Sequence, residues 1–256
     1  MSAVARSVTA VPVRQVWECM GTVFSVDVRD GGVDRSVLAD VVAFSHWVDD
    51  TFSPYRSNSV VSRIARGALT QSSCDADVRE VLDMCDALTL QTGGYFSATA
   101  TGSYDPSGYV KGWAIKEISD RLQRAGSSSH CVNGGGDVQC IGEAAIGRPW
   151  RIGIAHPLQR DRYVRVVQGD GVLAVATSGG AERGAHIVDP TTGMRPSGLA
   201  SVTLVGTDIA EVDAYATACV AMGVDCLDWL ATRPELRAVL VRTDGTVVTT
   251  ANWATS

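Results

Sequence analysis

The sequence predicts an α+β protein, with largely antiparallel or mixed sheets and packed helices in a single compact unit. Helical patterns cluster in the first half of the chain, and strand patterns crowd the second half. Such segregation is typical of α+β folds, whereas regular alternation of strands and helices would indicate a doubly wound parallel sheet. The 256 residues are 45% hydrophobic and 20% charged, so one large core is expected.

Three early segments have the apolar spacing of helices. The first begins at Asp34 or Ser36, either of which is a good N-cap residue. The second covers about 75–92, and Gly93 follows it as a stop signal. The third covers 109–126 and also ends in a glycine.

Strand patterns precede and follow these helices. Residues 22–29 alternate between apolar and polar side chains, as a half-buried strand does. Asp244-Gly245 lies between the last two strand patterns and predicts a two-residue hairpin. The later strand segments are CVN, DVQCIG, WRIGIA, YVRVVQ, VLAVATS, SVTLVG, RAVLVRT and TVVTT.

Charge and cysteine content exclude several classes of protein. The net charge of -6 argues against nucleic-acid binding, which usually requires a basic face. Seven cysteines, with no CxxC and no zinc-like pairing with the four histidines, indicate reduced thiols. Without a signal-peptide pattern or an uninterrupted run of 18 apolar residues, we expect a soluble, cytoplasmic protein that does not enter a membrane.

Two polar residues, Asp213 and Thr217, interrupt the apolar helix EVDAYATACVAMG (211–223). Their spacing of four places both side chains on one face of the helix. A carboxylate in a dry environment costs several kcal/mol unless it is paired or coordinates a metal. The helix therefore predicts a buried partner for Asp213.

The glycine-rich segment VNGGGDVQCIG resembles a dinucleotide-binding loop only at first sight. A strand pattern follows the glycines where that motif requires a helix, and Gln139 occupies the place of its third glycine. A tight turn between strands is favoured. The alternative is a glycine platform that lets the backbone approach a flat ligand ring. Asp137 is a structural residue if the segment is only a turn, and a site residue if the segment borders a ligand.

Two further segments offer polar groups for chemistry. ATSGGAERGAHIVDPTTGMRP delivers Arg183, His186 and Asp189 on a loop, where ligand sites are often built, although a lone histidine is more often structural. Lys111 lies near a helix start, so it either extends into solvent, as for most such lysines, or meets a strong anion such as a phosphate.

No GxSxG, SxxK, HExxH or Walker motif is present. Hard oxygen ligands, a lysine and a histidine suit a divalent cation and a phosphate.

Seven segments, taken in order, resemble the ApbE family of FAD:protein FMN transferases. The resemblance implies a protein that binds FAD and Mg²⁺, with Mn²⁺ or Ca²⁺ as alternatives. It also implies cleavage of the pyrophosphate, attachment of FMN through a phosphoester bond to a Thr or Ser of an acceptor flavoprotein, and release of AMP. The segments are MGTVFSV (20–26), FSPYRSNSVVSRI (52–64), GGYFSAT (93–99), DPSGYVKGWAI (105–115), VNGGGDV (132–138), ATSGGAERGAHIVDPTTG (176–193) and EVDAYATACVAMG (211–223).

The resemblance also implies roles for individual residues. Asp213 and Thr217 are expected to bind the metal through their side chains, and Gly108 through its carbonyl oxygen. His186 is expected to act as the base that deprotonates the acceptor hydroxyl, and Lys111 to neutralise phosphoryl charge. The residues expected to contact FAD are Met20, Tyr55, Tyr95, Phe96, Ser97, Asp105, Lys111 and Ile187.

The chain departs from the family pattern in places. Ser97 stands where the family usually has Asp, and the connection 96–105 is short, so a reduced wall of the flavin site is expected. The absence of an exported-lipoprotein leader suggests the short cytoplasmic branch, with residues 1–19 as an extension or first strand and 20–256 as the transferase domain. Two alternatives stay open: an FAD pyrophosphatase that yields FMN and AMP, and a non-catalytic flavin-binding protein.

Overall fold

The computed structural model describes residues 12–31, 33–159, 161–179, 187–194 and 196–255. Its strands are β1 (Val13–Cys19), β2 (Thr22–Val28), β3 (His130–Gly134), β4 (Asp137–Ile141), β5 (Trp150–Ala155), β6 (Tyr163–Gly169), β7 (Val172–Gly179), β8 (Leu199–Gly206), β9 (Arg237–Arg242) and β10 (Val247–Thr249). Its α-helices are α1 (Arg35–Phe52), α2 (Val60–Ala65), α3 (Ala76–Gln91), α4 (Ser107–Arg124), α5 (Ile209–Met222) and α6 (Cys226–Ala231). Short 3₁₀ turns lie at Gln71–Ser73, Gly223–Asp225 and Ala251–Thr255.

Eight strands form one sheet in the order β1-β2-β3-β4-β7-β8-β9-β10, and β5 and β6 form a separate hairpin. Every strand pair in the described ranges is antiparallel. Helices pack together on this sheet, with α4 and α5 in contact with each other and with its central strands. This architecture confirms the predicted α+β class.

The central sheet is buried on both faces, which strand β7 illustrates. Ala174 and Ala176 point to the core beneath the helices, whereas Leu173 and Val175 point to a second core under the β5–β6 hairpin. A strand covered on both sides needs apolar residues at every covered position, and LAVA (173–176) supplies them. The small alanines on the helix side leave room for α5, which packs on β7 and β8.

The early helices and the strand at 22–29 lie close to their predicted positions. Asp34 caps α1 by accepting a hydrogen bond from the Ser36 backbone N–H at 2.8 Å. Helices α3 and α4 follow the predicted spacing, although α4 begins two residues earlier than expected. The last hairpin is confirmed, but its turn has three residues. Arg242 and Thr246 close it, and Gly245 occupies the left-handed position.

Helix α5 is the most apolar of the four long helices α1, α3, α4 and α5. Within the described ranges, Ile209–Ala231 is long and apolar enough to cross a membrane by length and composition alone, with a mean hydropathy of 1.2. Eleven of the 14 residues of α5 are buried, and the helix contacts α4, β4, β7 and β8. Packing inside the protein therefore explains its composition.

Candidate active site

A cavity of about 430 Å³ opens between the first turns of α4, helix α5, the end of β7 and two hairpin turns. Its size falls in the range of small-molecule sites. The predicted site residues that line it are Met20, Tyr55, Tyr95, Phe96, Ser97, Asp105, Gly108, Lys111, Ile187, Asp213 and Thr217. His186 and Arg183 lie outside the described residues. Segments spread over most of the chain thus meet at one place.

Two tight turns form one border of the cavity. Met20-Gly21 joins β1 to β2, and both residues have left-handed φ values, 51° and 68°. Gly135-Gly136 joins β3 to β4 with φ values of 65° and 101°. Positive φ at both positions matches the twist of two-residue hairpins, but it is strained for a methionine. The interpretation of VNGGGD as a tight turn is confirmed, and the turn also borders the cavity.

The approach of α4 to α5 depends on Gly112. A Cβ atom at this position would lie 2.6 Å from the Ile209 carbonyl oxygen and 2.8 Å from Cβ of Asp213. Only glycine permits this separation, since real Cβ contacts under 3.0 Å are essentially absent from proteins. The neighbouring Lys111 therefore lies within reach of a carboxylate that is 102 residues away in the sequence.

Lys111 lies between two buried carboxylates. Its Nζ donates a hydrogen bond to Oδ2 of Asp213 at 2.8 Å and also contacts Oδ2 of Asp137. The Lys111 side chain is 13% exposed, and those of Asp137 and Asp213 are 3% and 4% exposed. The solvated alternative for Lys111 is therefore excluded, because the side chain meets anions of the protein itself. The same contact supplies the buried partner that the sequence predicts for Asp213.

Asp137 is the site residue that sequence reasoning left undecided. The Gly135-Gly136 turn places it at the start of β4, on the same face as Gln139, which accepts a hydrogen bond from the first N–H of α5. The Thr177 backbone N–H donates to Oδ1 of Asp137 at 2.9 Å, so the carboxylate is fixed to β7. Its only local signal was an acidic residue directly after a glycine turn.

The predicted metal ligands lie together. A Cβ atom at Gly108 would lie 3.7 Å from Oγ1 of Thr217, so the first turn of α4 passes directly beside that hydroxyl. The Thr217 hydroxyl is 3.2 Å from Oγ of Ser178. Among the described residues, no group of three or more His, Cys, Asp and Glu side chains converges as a metal site. A single carboxylate with neutral oxygens fits a cation that takes its other ligands from substrate phosphates and water.

The residues predicted to contact FAD lie at different depths. Tyr55 is 84% exposed at the rim, whereas Phe96 is buried against the main core. The hydroxyl of Ser97 accepts a hydrogen bond from the Thr99 backbone N–H at 3.2 Å, so it stabilises its own loop. Asp105 accepts from the Ser107 N–H at 2.9 Å and thereby fixes the start of α4.

Comparison with known proteins identifies relatives of this chain. The FAD:protein FMN transferase of Vibrio cholerae is 32% identical over 170 residues, which cover 62% of this chain and 50% of the relative. The enzyme of the same name from Rhodobacter capsulatus is 29% identical over 232 residues, 86% of this chain and 41% of the relative. The chain thus spans about half the length of the curated relatives that it matches.

Solved structures share the fold. The flavin transferase ApbE of Vibrio cholerae superposes with a TM-score of 0.82 at 21% identity, covering 96% of this chain and 99% of that one. The ApbE protein of Thermotoga maritima superposes with a TM-score of 0.82 at 20% identity, covering 95% and 98%. The ApbE family model matches residues 20–103 and 100–240. With most of its length matched in sequence and in fold, the chain belongs to the ApbE family.

Proposed function

We propose that this protein is a divalent-cation-dependent FAD:protein FMN transferase of the cytoplasm. It cleaves the pyrophosphate of FAD, attaches FMN by a phosphoester bond to a Thr or Ser of an acceptor flavoprotein, and releases AMP. The observation that carries this proposal is the convergence of Lys111, Asp213 and Thr217 at the floor of one cavity whose other walls hold the residues assigned to FAD. The curated relatives carry the same activity in their names.

The oxygen atoms present fit a hard divalent cation, with Mg²⁺ as the first candidate and Mn²⁺ or Ca²⁺ as alternatives. Asp213, Thr217 and the Gly108 carbonyl would hold it. When bound, the cation supplies positive charge that stabilises the phosphoryl oxygens during transfer. The burial of Asp213 supports this role, because a nearly dry carboxylate interacts strongly with a cation.

The side chains of the cavity do the remaining work. Lys111 stabilises negative charge on the pyrophosphate, and its low exposure keeps the ammonium poorly screened by water. Met20 and Phe96 provide apolar surface for contact with FAD. The acceptor hydroxyl oxygen bonds to the FMN phosphorus, the bond to the AMP phosphate breaks, and AMP leaves. His186 takes the hydroxyl proton, a role that stays a prediction from the resemblance.

The cytoplasmic location has separate support in the thiols. All seven cysteines are free, and six of them are buried. Disulfides are the rule in oxidising compartments, so a chain rich in unpaired cysteines fits a reducing one. Acceptors are accordingly flavoproteins with cytoplasmic flavinylation sites.

The test is incubation with FAD, Mg²⁺ and a flavoprotein domain that carries a Thr flavinylation site, followed by mass spectrometry. A covalent FMN adduct on that Thr, with one AMP released per adduct, is expected. The matched control is the same domain with the acceptor Thr→Val, which should gain no adduct. AMP and free FMN without an adduct would identify an FAD pyrophosphatase. Intact FAD would identify a flavin-binding protein without turnover.

A further inference from the structure

Three charged side chains, Lys111, Asp137 and Asp213, line the cavity and are held in place by different contacts. Asp137 is held by strand β7, because the Thr177 backbone N–H donates to its Oδ1 at 2.9 Å. Asp213 lies on α5 and lines the cavity, one turn before Thr217. The ammonium of Lys111 contacts Oδ2 of both carboxylates. One cation of the protein is therefore shared between a fixed carboxylate and a carboxylate of the proposed metal site.

We propose that Asp137 is a positioning residue that retains the Lys111 ammonium when a divalent cation occupies Asp213. This inference rests on the cation site of the proposed function. The ammonium now contacts Oδ2 of Asp213, so a metal ion on this carboxylate would lie close to it, and the two positive charges would repel each other strongly in a poorly hydrated site. The second carboxylate gives the ammonium a place to stay inside the cavity.

Charge counting supports this division of roles. Lys111 with Asp137 and Asp213 gives a net charge of about -1, which attracts a divalent cation, and the bound cation converts this charge to about +1, which attracts the negative pyrophosphate. Without the Asp137 charge, the net charge before cation binding is about 0, so the site attracts a cation less strongly. The ammonium would then have Asp213 as its neighbouring carboxylate and would compete with the metal for it. Asp137 therefore both weakens that competition and keeps Lys111 directed at the phosphates.

The geometry also favours positioning over direct metal ligation by Asp137. Its Oδ1 is occupied by the Thr177 N–H and its Oδ2 by Lys111, so both oxygens have partners in the protein. Asp213 shares a helix face with Thr217, the second predicted ligand. A cation at Asp213 and Thr217 needs the ammonium to move only from one of its two present partners to the other.

The experiment measures Mn²⁺ binding by electron paramagnetic resonance of the free ion, with neither FAD nor acceptor present. The variants are Asp137→Asn, Lys111→Met and the double variant. Asp137→Asn keeps the acceptor for Thr177 and should weaken Mn²⁺ binding roughly tenfold, a coupling typical of groups in contact. Lys111→Met should bind Mn²⁺ at least as tightly as the wild type, because the competitor is gone. Adding Asp137→Asn to Lys111→Met should change the affinity by less than about threefold.

The control is Asp120→Asn, which breaks a Lys–Asp pair on the solvent side of the same helix and should leave Mn²⁺ binding unchanged. An equal loss with and without Lys111 would make Asp137 a metal ligand and overturn the proposal. The proposal would also be overturned if Asp137→Asn caused no loss of Mn²⁺ affinity with or without Lys111, or if the wild type did not bind Mn²⁺. If Asp137→Asn fails to fold, the Lys111→Met variant is a sufficient test. Weaker Mn²⁺ binding by Lys111→Met than by the wild type would then overturn the proposal. Coupled Mn²⁺ binding without FMN transfer would leave this inference standing and remove the proposed function.

Discussion

The two ends of α4 carry two buried polar clusters against the same β3–β4 hairpin, and they differ in charge and in access. At the start of α4, Lys111 pairs with Asp137 and Asp213 beside the cavity. Near its end, Ser119 lies 2.8 Å from Nε2 of His130, a fully buried side chain. The open cluster, Lys111 with Asp137 and Asp213, is charged and lines the cavity. The closed cluster, Ser119 with His130, is enclosed in the protein interior.

The closed cluster shows how the fold accommodates a polar group without using it. Ser127 lies 3.0 Å from the second ring nitrogen of His130, so both nitrogens have hydroxyl partners. Burial lowers the pKa of His130 to about 4, and the ring is therefore neutral at pH 7. A neutral, fully hydrogen-bonded group costs little in the interior. The open cluster keeps charged groups beside a cavity, as the proposed function requires.

The largest expected effect breaks the open cluster. Asp213→Asn keeps the shape of the side chain but removes the charge that faces Lys111 and the proposed cation. The rate of FMN transfer should fall by about 10³-fold, as for loss of a main electrostatic contact in an active site. The readout is the rate of adduct formation with FAD, Mg²⁺ and an acceptor domain, with circular dichroism to check the fold. A rate within tenfold of the wild type would remove Asp213 from the mechanism.

The next effect probes the closed cluster through pH. Below its unfolded-state pKa of 6.5, His130 binds a proton in the unfolded chain but stays neutral in the folded protein down to about pH 4. The unfolded state binds more protons in this window, so the free energy of unfolding falls as the pH is lowered. Between pH 7 and 4.5, His130 should account for a loss of about 2 kcal/mol.

Urea unfolding of the wild type and His130→Gln at both pH values measures this contribution. The variant should lose less stability on acidification than the wild type. His46→Gln, at an exposed histidine, is the matched control and should follow the wild type. Identical pH dependence in wild type and His130→Gln would show that this histidine is not held neutral by the fold.

A substitution at the helix contact tests whether close packing holds the open cluster together. Gly112→Ala adds a methyl group 2.6 Å from the backbone oxygen of Ile209, which cannot move away alone. The free energy of unfolding should fall by about 1 to 3 kcal/mol, the usual cost of overpacking. Gly108→Ala is the comparison, because its nearest neighbour is a Phe96 side-chain atom at 3.2 Å and can adjust. Equal losses in the two variants would contradict a special role for Gly112.

The smallest effect belongs to a charge pair of the same type on the surface of α4. Lys116 and Asp120 lie 2.6 Å apart, one helical turn from each other, with side chains about one third exposed. Asp120→Asn should change the free energy of unfolding by less than about 0.5 kcal/mol, because water screens the pair. Chemical denaturation measures this change. A loss above about 1 kcal/mol would show that solvent exposure does not make the Lys116–Asp120 pair weaker than the buried pairs of Lys111.

The sequence predicts the elements of this fold better than their arrangement. Periodicity places α1, α3 and α4 well, since each buries one regular apolar face. Helices α2 and α6 have six residues each, too few to show a period, and were not predicted. The order of strands in the sheet depends on contacts between distant segments, which no local pattern contains.

The site divides in the same way. The position of Asp213 in an apolar helix predicts a buried partner, because an isolated carboxylate is costly there. Its identity as Lys111 was not predictable, since the contact depends on Gly112 and on the packing of α4 against α5. Asp137 was undecided for the same reason, because only the fold places its carboxylate beside that ammonium. Family resemblance, not spacing, brought the remaining cavity residues together.

The most direct measurement is a crystal structure of the protein with FAD and Mn²⁺, using anomalous scattering to locate the ion. We expect Mn²⁺ in the cavity beside the pyrophosphate, bound by the Asp213 carboxylate and the Thr217 hydroxyl at about 2.1 Å, as for Mg²⁺. The Lys111 ammonium should then lie on Asp137. An ion bound elsewhere, with Asp213 still paired to Lys111 and no contact to FAD, would contradict the account.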